Sequence, residues 1–455
     1  MLKIRLWKLV TKKLYIETYG CQMNFSDSEI VASVMTSHDY EMAGDPRDAD
    51  VVFLNTCSIR DHAEQRVLNR LRELQHLRKA KPGLVIGVLG CMAERLKTEL
   101  LEEGDLGMRI DMVVGPDAYR ELPRLLADAE TGQQTINVLL SADETYADIS
   151  PVRYGSGGVS AFVSIMRGCE NFCAYCVVPF TRGKERSRDP LSIVSEARQL
   201  VNSGYREVTL LGQNVNSYRW EDVKNDYDID FSQLISMVAG TDRRLRIRFA
   251  TSHPKDISDA LLHQMAKHPN ICRAIHLPVQ SGSTDVLKRM NRKYSRDDYL
   301  DRIQAVRSIL PGCAISTDII AGFCGETEEE HRETLSLMDQ VGFDFAFMFK
   351  YSERPDTLAA KRYADDVPDD IKTRRLTEII ERQQELSLKS NEKDVGSTQE
   401  VLVEGFSKRS GEHKMGRTSH NKVVVFPDNG CRPGDYVRVK VTACTSATLK
   451  GTVIS

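Results

Sequence analysis

The sequence predicts an α/β protein with three parts: an amino-terminal open parallel α/β sheet domain, a partial (β/α)6 TIM-like barrel and a carboxy-terminal all-β, OB-like barrel. Three observations support this. Strand and helix patterns alternate over residues 13–130, about six further strand–helix pairs occupy residues 159–394, and residues 395–455 consist of short strands separated by Gly, Pro and Asn. A chain of 455 residues is also too long for one hydrophobic core, so about three domains are expected.

The amino-terminal part contains three apolar runs, KLYIET, DVVFLNT and LVIGVLG. Each run is rich in apolar or β-branched residues and ends in turn residues, which is typical of a buried strand. Helical patterns near Asp27–Ser37 and His62–Arg78 lie between them, so we expect βαβ units and a parallel sheet with right-handed crossovers. Residues 131–158 show little periodicity and are expected to form a linker.

The middle part repeats the strand and helix patterns, with amphipathic helices such as Leu191–Asn202 and Thr327–Val341. Repeated βα units of this kind predict a full or partial barrel. One long charged helix, Ile371–Lys393, follows. The six strands are predicted at Ala161–Met166, Glu207–Leu211, Leu245–Ala250, Arg273–Leu277, Ala314–Ile320 and Phe345–Lys350.

Bulk composition is that of an ordinary globular protein, with 41% hydrophobic and 28% charged residues. The net charge of −3 provides no global positive field, so nucleic-acid binding would need local basic patches. No apolar run reaches the ~18 residues of a membrane helix, and no membrane partner is expected. Eleven cysteines, an odd number, argue against a disulfide framework and favour metal or catalytic thiols in a reducing, cytoplasmic compartment.

Three cysteines lie within eight residues of each other just beyond a predicted strand: Cys169, Cys173 and Cys176. Soft thiolates select zinc or iron–sulfur clusters, and structural zinc takes four ligands. Three thiolates on a [4Fe–4S] cluster leave one iron open, which suits substrate activation. The alternative is a group of buried or zinc-bound cysteines.

A second triad consists of Cys21, Cys57 and Cys91, each just after the carboxyl end of a predicted parallel strand. Such ends converge on one crevice, so this triad predicts a second [4Fe–4S] cluster. The alternative is three buried core residues, since free Cys is among the most buried residue types. The remaining cysteines are expected to be structural: Cys272, Cys313, Cys324, Cys431 and Cys444.

The CxxxCxxC motif, with Tyr175 before its last cysteine, resembles the radical S-adenosylmethionine superfamily. Between about residues 14 and 358 the chain resembles the radical methylthiotransferases. The motifs that carry this resemblance are ETYGCQMNFSDSE, NTCSIR, GCMAER, PFTRGKERSR, TSHP, HLPVQSGS, RMNRKY and TDIIAGFCGET. The tail, with LVEGFSKRS and MGRTSHNKVVVF, is similar to the TRAM domain, an RNA-binding barrel. Cys-Gln-Met-Asn at residues 21–24 resembles the bacterial branch that acts on prenylated tRNA. Cys324 departs from the family, which usually has Pro there, and we expect it to be tolerated and not to be a ligand.

The resemblance implies a transferase that adds a methylthio group to carbon 2 of N6-dimethylallyladenosine at tRNA position 37, next to the anticodon. It implies two [4Fe–4S] clusters and S-adenosyl-L-methionine as cofactors, with Cys169, Cys173 and Cys176 in the catalytic radical SAM core. It also implies an electron donor such as flavodoxin or ferredoxin, and an iron–sulfur assembly or carrier protein. We expect a monomer, and we expect the base to be flipped out of its stack.

Several polar residues follow strand ends in the middle part, and others lie in basic stretches. As cofactor-binding residues we predict Tyr175, Gln213, Asn214, Ser252, Gln280 and Asp318. The alternative for the last five is turn capping. As RNA-binding residues we predict Arg182, Lys184, Arg186 and Arg188 beyond the cysteine motif, and Lys408, Arg409, Arg417 and Lys422 in the tail. The alternative for the first basic run is a solvated face. The tail has nine Lys/Arg against five Asp/Glu from Gly396 to Ser455 and is therefore locally basic.

Two other methylthiotransferase activities remain as alternatives: methylthiolation of threonylcarbamoyladenosine in tRNA, or of ribosomal protein S12. A third alternative is a protein that is not an enzyme: a non-catalytic iron–sulfur protein that binds RNA. The complete CxxxCxxC motif fits catalysis better.

Overall fold

The computed structural model describes residues 11–58, 61–102, 108–153, 158–222, 225–408 and 410–454, without the side chains of residues 61–63. The chain divides into two compact units. The amino-terminal unit comprises Met1–Arg153 and Val178–Lys184, and the carboxy-terminal unit comprises Tyr154–Val177 and Glu185–Ser455. None of the described helices combines the length and apolar character that a membrane span requires.

The amino-terminal unit is built on a six-stranded sheet in which every pairing is parallel, as predicted. Its strands are β1 Lys12–Thr18, β2 Tyr40–Met42, β3 Val51–Thr56, β4 Val85–Gly90, β5 Met112–Val114 and β6 Thr135–Asn137. The spatial order is β2-β1-β3-β4-β5-β6. Its helices are α1 Gln22–Thr36, α2 Asp61–Ala80, α3 Cys91–Leu96, α4 Leu122–Glu130 and α5 Val178–Arg182. Strands β3 and β4 are buried along their whole length, which explains their continuous apolar sequences.

The segment predicted as a linker, residues 131–158, differs from that expectation at its start. Strand β6 lies within it and pairs in parallel with β5 as the last strand of the sheet. Three residues are too few to show the alternating pattern by which a strand is recognised in sequence.

The carboxy-terminal unit contains the predicted partial barrel. Its parallel strands are β7 Ser160–Ser164, β10 Glu207–Leu211, β13 Arg246–Ala250, β14 Ala274–His276, β15 Ala314–Ala321 and β16 Phe345–Lys350. Two three-stranded sheets, β13-β10-β7 and β14-β15-β16, are joined by a parallel bridge between Ile247 and Ile271. Short antiparallel pairs flank them: β8 Met166–Arg167 with β9 Arg186–Ser187, and β11 Arg219–Asp222 with β12 Tyr227–Asp230.

Helices alternate with the barrel strands. They are α6 Pro190–Asn202, α7 Phe231–Ala239, α8 Asp259–Lys267, α9 Thr284–Arg289, α10 Arg296–Ile309, α11 Glu328–Val341, α12 Leu358–Arg362 and α13 Asp369–Glu392. Capping boxes start three of them; at α11, for example, the Thr327 hydroxyl accepts from the Glu330 amide while the Glu330 carboxylate accepts from the Thr327 amide.

The predicted all-β tail is a closed barrel in the order β17-β18-β19-β21-β20. Its strands are β17 Thr398–Ser407, β18 Ser410–Arg417, β19 Val423–Pro427, β20 Tyr436–Cys444 and β21 Leu449–Val453. The loop after β18 meets the amino-terminal ends of the partial-barrel strands: Arg246 donates to the Arg417 carbonyl at 2.7 Å, and Arg248 donates to the Thr418 carbonyl at 2.7 Å. The carboxyl ends of the strands lie at the other end of the partial barrel.

Candidate active site

The three amino-terminal cysteines lie at the carboxyl edge of the parallel sheet. Cys21 follows β1 and caps α1, Cys57 follows β3, and Cys91 opens α3 directly after β4. Because β1, β3 and β4 are neighbours in the sheet, the strand order brings the three thiols to one edge. A hydrogen bond with Cys57 lowers the pKa of Cys21 to about 6, against the opposing effect of burial.

Two glycines leave space for the loops that carry these cysteines. Gly20 has φ +120°, and a Cβ placed on it would overlap the Cβ of Cys57 and lie 3.2 Å from its Sγ. Gly90 has φ +88°, and a Cβ there would lie 2.5 Å from Asn55 Oδ1. The glycine before Cys21 and the glycine before Cys91 are therefore required by both backbone angle and space.

Two fully buried asparagines fix the loops that carry the thiols. The Asn24 amide donates to the Thr56 carbonyl at 2.7 Å, and Asn24 Oδ1 accepts from Cys21 Sγ at 3.0 Å. The Asn55 amide donates to the Asn24 carbonyl at 2.8 Å and to Ser28 Oγ at 2.9 Å. These bonds join the start of α1 to the end of β3, so the separation of Cys21 and Cys57 is set by a buried polar network.

Arg182 lies beside the amino-terminal thiols. It was predicted to bind RNA, but its side chain is buried within the protein. Its side chain is 3% exposed; Nη2 lies 2.7 Å from Asp27 Oδ2, and Nε lies 3.3 Å from Cys91 Sγ. Burial raises the pKa of Cys91, and the Arg182 charge opposes that rise.

The same correction applies to most of the basic run that contains Arg182. Arg186 and Arg188 are also buried, and Arg188 forms an ion pair with Glu196. A buried guanidinium with a protein partner cannot contact a phosphate, so the prediction of an RNA-facing run is wrong for these three arginines. Lys184 is exposed.

The central cysteines follow β8 in a loop that neighbouring segments hold in place. Phe172, between the first two cysteines, has φ +48°, and its carbonyl accepts from the Asn291 amide at 2.7 Å. Asn171 Nδ2 lies 3.5 Å from Cys169 Sγ, and the Cys176 amide donates to the Cys173 carbonyl at 2.9 Å. A positive φ at a bulky residue is strained, and such strain is concentrated at functional loops.

A second buried arginine, Arg292, touches the central triad and was not predicted as a site residue. Its Nη1 donates to Cys173 Sγ at 3.2 Å, Nη2 to the Pro278 carbonyl at 2.9 Å and Nε to the Tyr294 hydroxyl at 2.9 Å. The RMNRKY motif was visible in the sequence, but nothing local indicated that its second arginine is buried. Burial raises the pKa of Tyr175, the predicted cofactor-binding residue in the same loop.

No group of three or more His, Cys, Asp or Glu side chains among the described residues is arranged to hold a single metal ion. Ligation of clusters by the two cysteine triads therefore stays a prediction. The chemistry of the donor sets fits it: each triad supplies three soft sulfur atoms on loops held by buried polar contacts.

The predicted cofactor residues lie at or near the carboxyl ends of the barrel strands. Gln213 and Asn214 follow β10, Ser252 follows β13, and Gln280 follows β14. Asp318 lies in β15, and its carboxylate is 3.3 Å from His276 Nε2. Carboxyl ends of barrel strands are where catalytic residues are placed in this architecture.

Three of the predicted cofactor residues carry buried polar atoms without a hydrogen-bond partner among the described residues. Within the described part of the chain, Gln213 Oε1, Asn214 Oδ1 and Ser252 Oγ are buried and have no hydrogen-bond partner. Asn216, which was not predicted, leaves both of its amide atoms in the same condition. A buried polar atom without a partner costs about 1–3 kcal/mol unless a ligand satisfies it. These residues therefore fit a polar cofactor such as S-adenosylmethionine.

The inner face of the partial barrel carries exposed aromatic side chains in the first half of β16. Phe345 and Phe347 alternate along β16 and pack edge to face, with ring centroids 4.9 Å apart. They are 49% and 46% exposed. Strand register places Phe347 beside Asp318, on the same face as His276. Large apolar side chains exposed inside a barrel provide a surface on which a planar base can stack.

The basic residues predicted in the tail have different environments. Lys408 is exposed, Arg409 lies outside the described residues, and half-buried Arg417 lies 3.1 Å from Glu404. Lys422 is held by Asp394 at 2.7 Å and by Ser390, so its ammonium fixes the end of α13 to the barrel. The predicted RNA contact of Lys422 is therefore corrected to a structural one. Cys324 is buried among Phe323 and Tyr351.

Three family models match the chain in succession. Residues 13–115 match Uncharacterized protein family UPF0004, residues 163–338 match the Radical SAM superfamily, and residues 392–454 match the TRAM domain. Among solved structures, the chain is similar to the radical S-adenosylmethionine methyltransferase TsrM from Kitasatospora setae. That match has a TM-score of 0.56 and 12% identity, and it covers 86% of this chain and 78% of that chain. At such identity the likeness shows the fold alone.

Curated relatives are much more similar in sequence. A protein of Amoebophilus asiaticus (strain 5a2), named tRNA-2-methylthio-N(6)-dimethylallyladenosine synthase, is 56% identical over 454 residues, covering 98% of this chain and 93% of the relative. A protein of the same name from Bacteroides thetaiotaomicron is 57% identical over 440 residues, covering 97% and 96%. Identity at this level over nearly the whole length establishes that the chain belongs to the tRNA-2-methylthio-N(6)-dimethylallyladenosine synthase family of radical SAM proteins.

Proposed function

We propose that this protein is a tRNA methylthiotransferase that adds a methylthio group to carbon 2 of N6-dimethylallyladenosine next to the anticodon. The observation that carries the proposal is the pair of cysteine triads, each at strand ends, in a chain that matches synthases of that name nearly end to end. One C–H bond of the base must be broken and one C–S bond made, and two separate thiol sites suit these two tasks.

We assign two [4Fe–4S] clusters and S-adenosylmethionine to the chain as cofactors. When bound, the central cluster supplies the electron for reductive cleavage of S-adenosylmethionine, and the amino-terminal cluster supplies the sulfur for transfer. The ligands we propose are Cys169, Cys173 and Cys176 for the first, and Cys21, Cys57 and Cys91 for the second. The proposed domains are residues 13–130, 159–394 and 395–455, with 131–158 between the first two.

The protein's own residues would orient the cofactor by hydrogen bonding. Gln213, Asn214 and Ser252 offer buried oxygen atoms without partners among the described residues, which suits the amine and hydroxyl groups of S-adenosylmethionine. Asp318 offers a carboxylate on the same inner face. Because these atoms are already desolvated, the ligand gains hydrogen bonds that water does not contest.

RNA recognition would combine backbone contacts with a base site. Lys184, Lys408 and Arg417 remain candidates for the backbone, since each keeps at least part of its side chain in solvent. Phe345 and Phe347 would receive the flipped adenine and its apolar prenyl group. A reducing partner such as flavodoxin or ferredoxin, an iron–sulfur carrier, a monomeric state and a cytoplasmic location complete the proposal.

The test uses anaerobically reconstituted protein with S-adenosylmethionine, dithionite and an anticodon stem–loop RNA that carries N6-dimethylallyladenosine. Nucleosides are released and analysed by mass spectrometry, and 5′-deoxyadenosine is measured in parallel. We expect the 2-methylthio product with this RNA, none with unprenylated RNA, and none from Cys57→Ala or Cys173→Ala protein.

Other outcomes would reject the proposal in distinguishable ways. If 5′-deoxyadenosine forms but prenylated RNA is unchanged, the substrate is wrong, and the same assay with threonylcarbamoyl-modified RNA and with ribosomal protein S12 tests the alternatives. If iron-loaded protein makes no 5′-deoxyadenosine, a non-catalytic iron–sulfur RNA-binding protein becomes the better description.

A further inference from the structure

Arg182 is a charged side chain buried in the amino-terminal unit next to a proposed sulfur ligand. It ends the short helix α5, which packs against α3, the helix that Cys91 opens. Its side chain is 3% exposed, and that of its partner Asp27 is 0% exposed. Both charges have therefore been removed from water, which is unfavourable unless the two ions pair.

The direction of the guanidinium indicates a role beyond packing. Nη2 is 2.7 Å from Asp27 Oδ2, and this contact alone would provide a counter-charge for the buried guanidinium. A second nitrogen of the same group, Nε, lies 3.3 Å from Cys91 Sγ, within the reach of an N–H···S hydrogen bond. Arg182 thus joins a carboxylate and a thiol, and its planar fork is suited to two such contacts at once.

We infer that Arg182 is a positioning residue for the amino-terminal sulfur site, and that its N–H···S bond to Cys91 and its charge raise the reduction potential of the cluster held there. The inference rests on the proposed function, because it requires a cluster on Cys21, Cys57 and Cys91. Reduction adds an electron to a site that already carries thiolate charge, so a nearby cation and a donor to sulfur stabilise the reduced form. Asp27 acts in the opposite direction through its negative charge.

The test measures the midpoint potential by EPR-monitored titration in full-length protein with Cys169, Cys173 and Cys176 changed to Ala, so that only the amino-terminal cluster remains. In this background Arg182→Gln should make the reduction equilibrium at least tenfold less favourable. For one electron, a tenfold change corresponds to a midpoint potential about 59 mV lower. Asp27→Asn should raise the potential, because it removes a negative charge beside the site. Arg182→Lys, which keeps the charge but loses the fork, should fall between the parent and Arg182→Gln.

The matched control is Arg78→Gln. Arg78 is an arginine of the same unit whose side chain is 15% exposed and which forms an ion pair with Asp111, near the amino-terminal end of β5. The Arg78→Gln substitution should leave the midpoint potential of the amino-terminal cluster unchanged. If Arg182→Gln loses iron or fails to fold, the double variant Arg182→Gln/Asp27→Asn removes the whole buried pair. That variant must have a lower potential than Asp27→Asn alone.

Two results would overturn the inference. One is an iron-loaded Arg182→Gln protein with the parental potential; the other is a double variant with the potential of Asp27→Asn. A background protein without iron would overturn the amino-terminal site and this inference together. Product formation by the unmodified enzyme tests the proposed function separately, so the two can fail independently.

Discussion

Substitution of Gly20 by alanine tests whether the amino-terminal thiol site depends on the space beside Cys57. Gly20 has φ +120°, where a residue with a side chain is strained by about 1–3 kcal/mol. The added Cβ would also overlap Cys57 Cβ and lie 3.2 Å from Cys57 Sγ, and overpacking of this kind costs a further ~1–3 kcal/mol. We therefore expect Gly20→Ala to destabilise the protein by about 2–6 kcal/mol and to displace Cys57.

The assay combines denaturant unfolding with counts of iron and sulfide after anaerobic reconstitution. Two glycines of the same unit separate the contributions. Gly132 has φ +94° with nothing within 4 Å of an added Cβ, so Gly132→Ala should show backbone strain alone. Gly83 has the same open surroundings without the positive φ, so Gly83→Ala should behave like the parent.

Gly20→Ala should lose the iron of the amino-terminal site, about half of the total, whereas both control variants keep it. If Gly20→Ala retains the parental iron content and the stability of Gly132→Ala, then contact between Gly20 and Cys57 does not shape the site. The interpretation of the glycine as a space requirement would then be refuted.

Ser252→Ala should weaken S-adenosylmethionine binding about tenfold, the value of one hydrogen bond, without lowering the stability of the free protein. Equilibrium binding and denaturant unfolding measure the two effects, and a destabilised variant with normal binding would contradict the assignment. Phe347→Ala should raise KM for prenylated stem–loop RNA by roughly tenfold through lost stacking, more than it lowers kcat; an unchanged KM would remove Phe347 from the base site. Burial raises the pKa of Glu94 from 4.5 to about 7. The folded protein therefore holds this proton more tightly than the unfolded chain, and the free energy of unfolding is unaffected below pH 4.5 but falls as the pH rises towards and through 7. Glu94→Gln should therefore unfold at higher denaturant than the parent at pH 8 but not at pH 4.5, and equal midpoints at pH 8 would contradict the burial argument.

Features that depend on local pattern were predictable from the sequence. Strands β3 and β4 are buried on both faces, so their continuous apolar runs indicated a parallel sheet. The convergence of Cys21, Cys57 and Cys91 followed from one rule, because parallel strands end at one edge. The helix predicted at Thr327–Val341 is α11, Glu328–Val341, with Thr327 as its N-cap residue.

Features that depend on distant partners were not predictable. Arg182 pairs with Asp27 across 155 residues of sequence, and Arg292 reaches Cys173 across 119. Arginines in a basic stretch have the same local pattern whether they face solvent or a buried carboxylate. Only the packed structure distinguishes Arg182, which is buried, from Lys184, which is exposed. The family resemblance identified the motifs around these residues without indicating where the charges lie.

The two buried arginines give the two thiol sites different charges. At the amino-terminal triad Arg182 donates to Cys91 Sγ, but the carboxylate of Asp27 offsets part of its charge. Arg292 instead donates to Cys173, the Pro278 carbonyl and the Tyr294 hydroxyl, and the last two are neutral. Under the proposed function, one added electron is therefore better stabilised at the central site than at the amino-terminal one. With clusters bound, Arg292 would therefore favour reduction at the site where S-adenosylmethionine must be cleaved, and Asp27 would disfavour reduction at the sulfur-holding site.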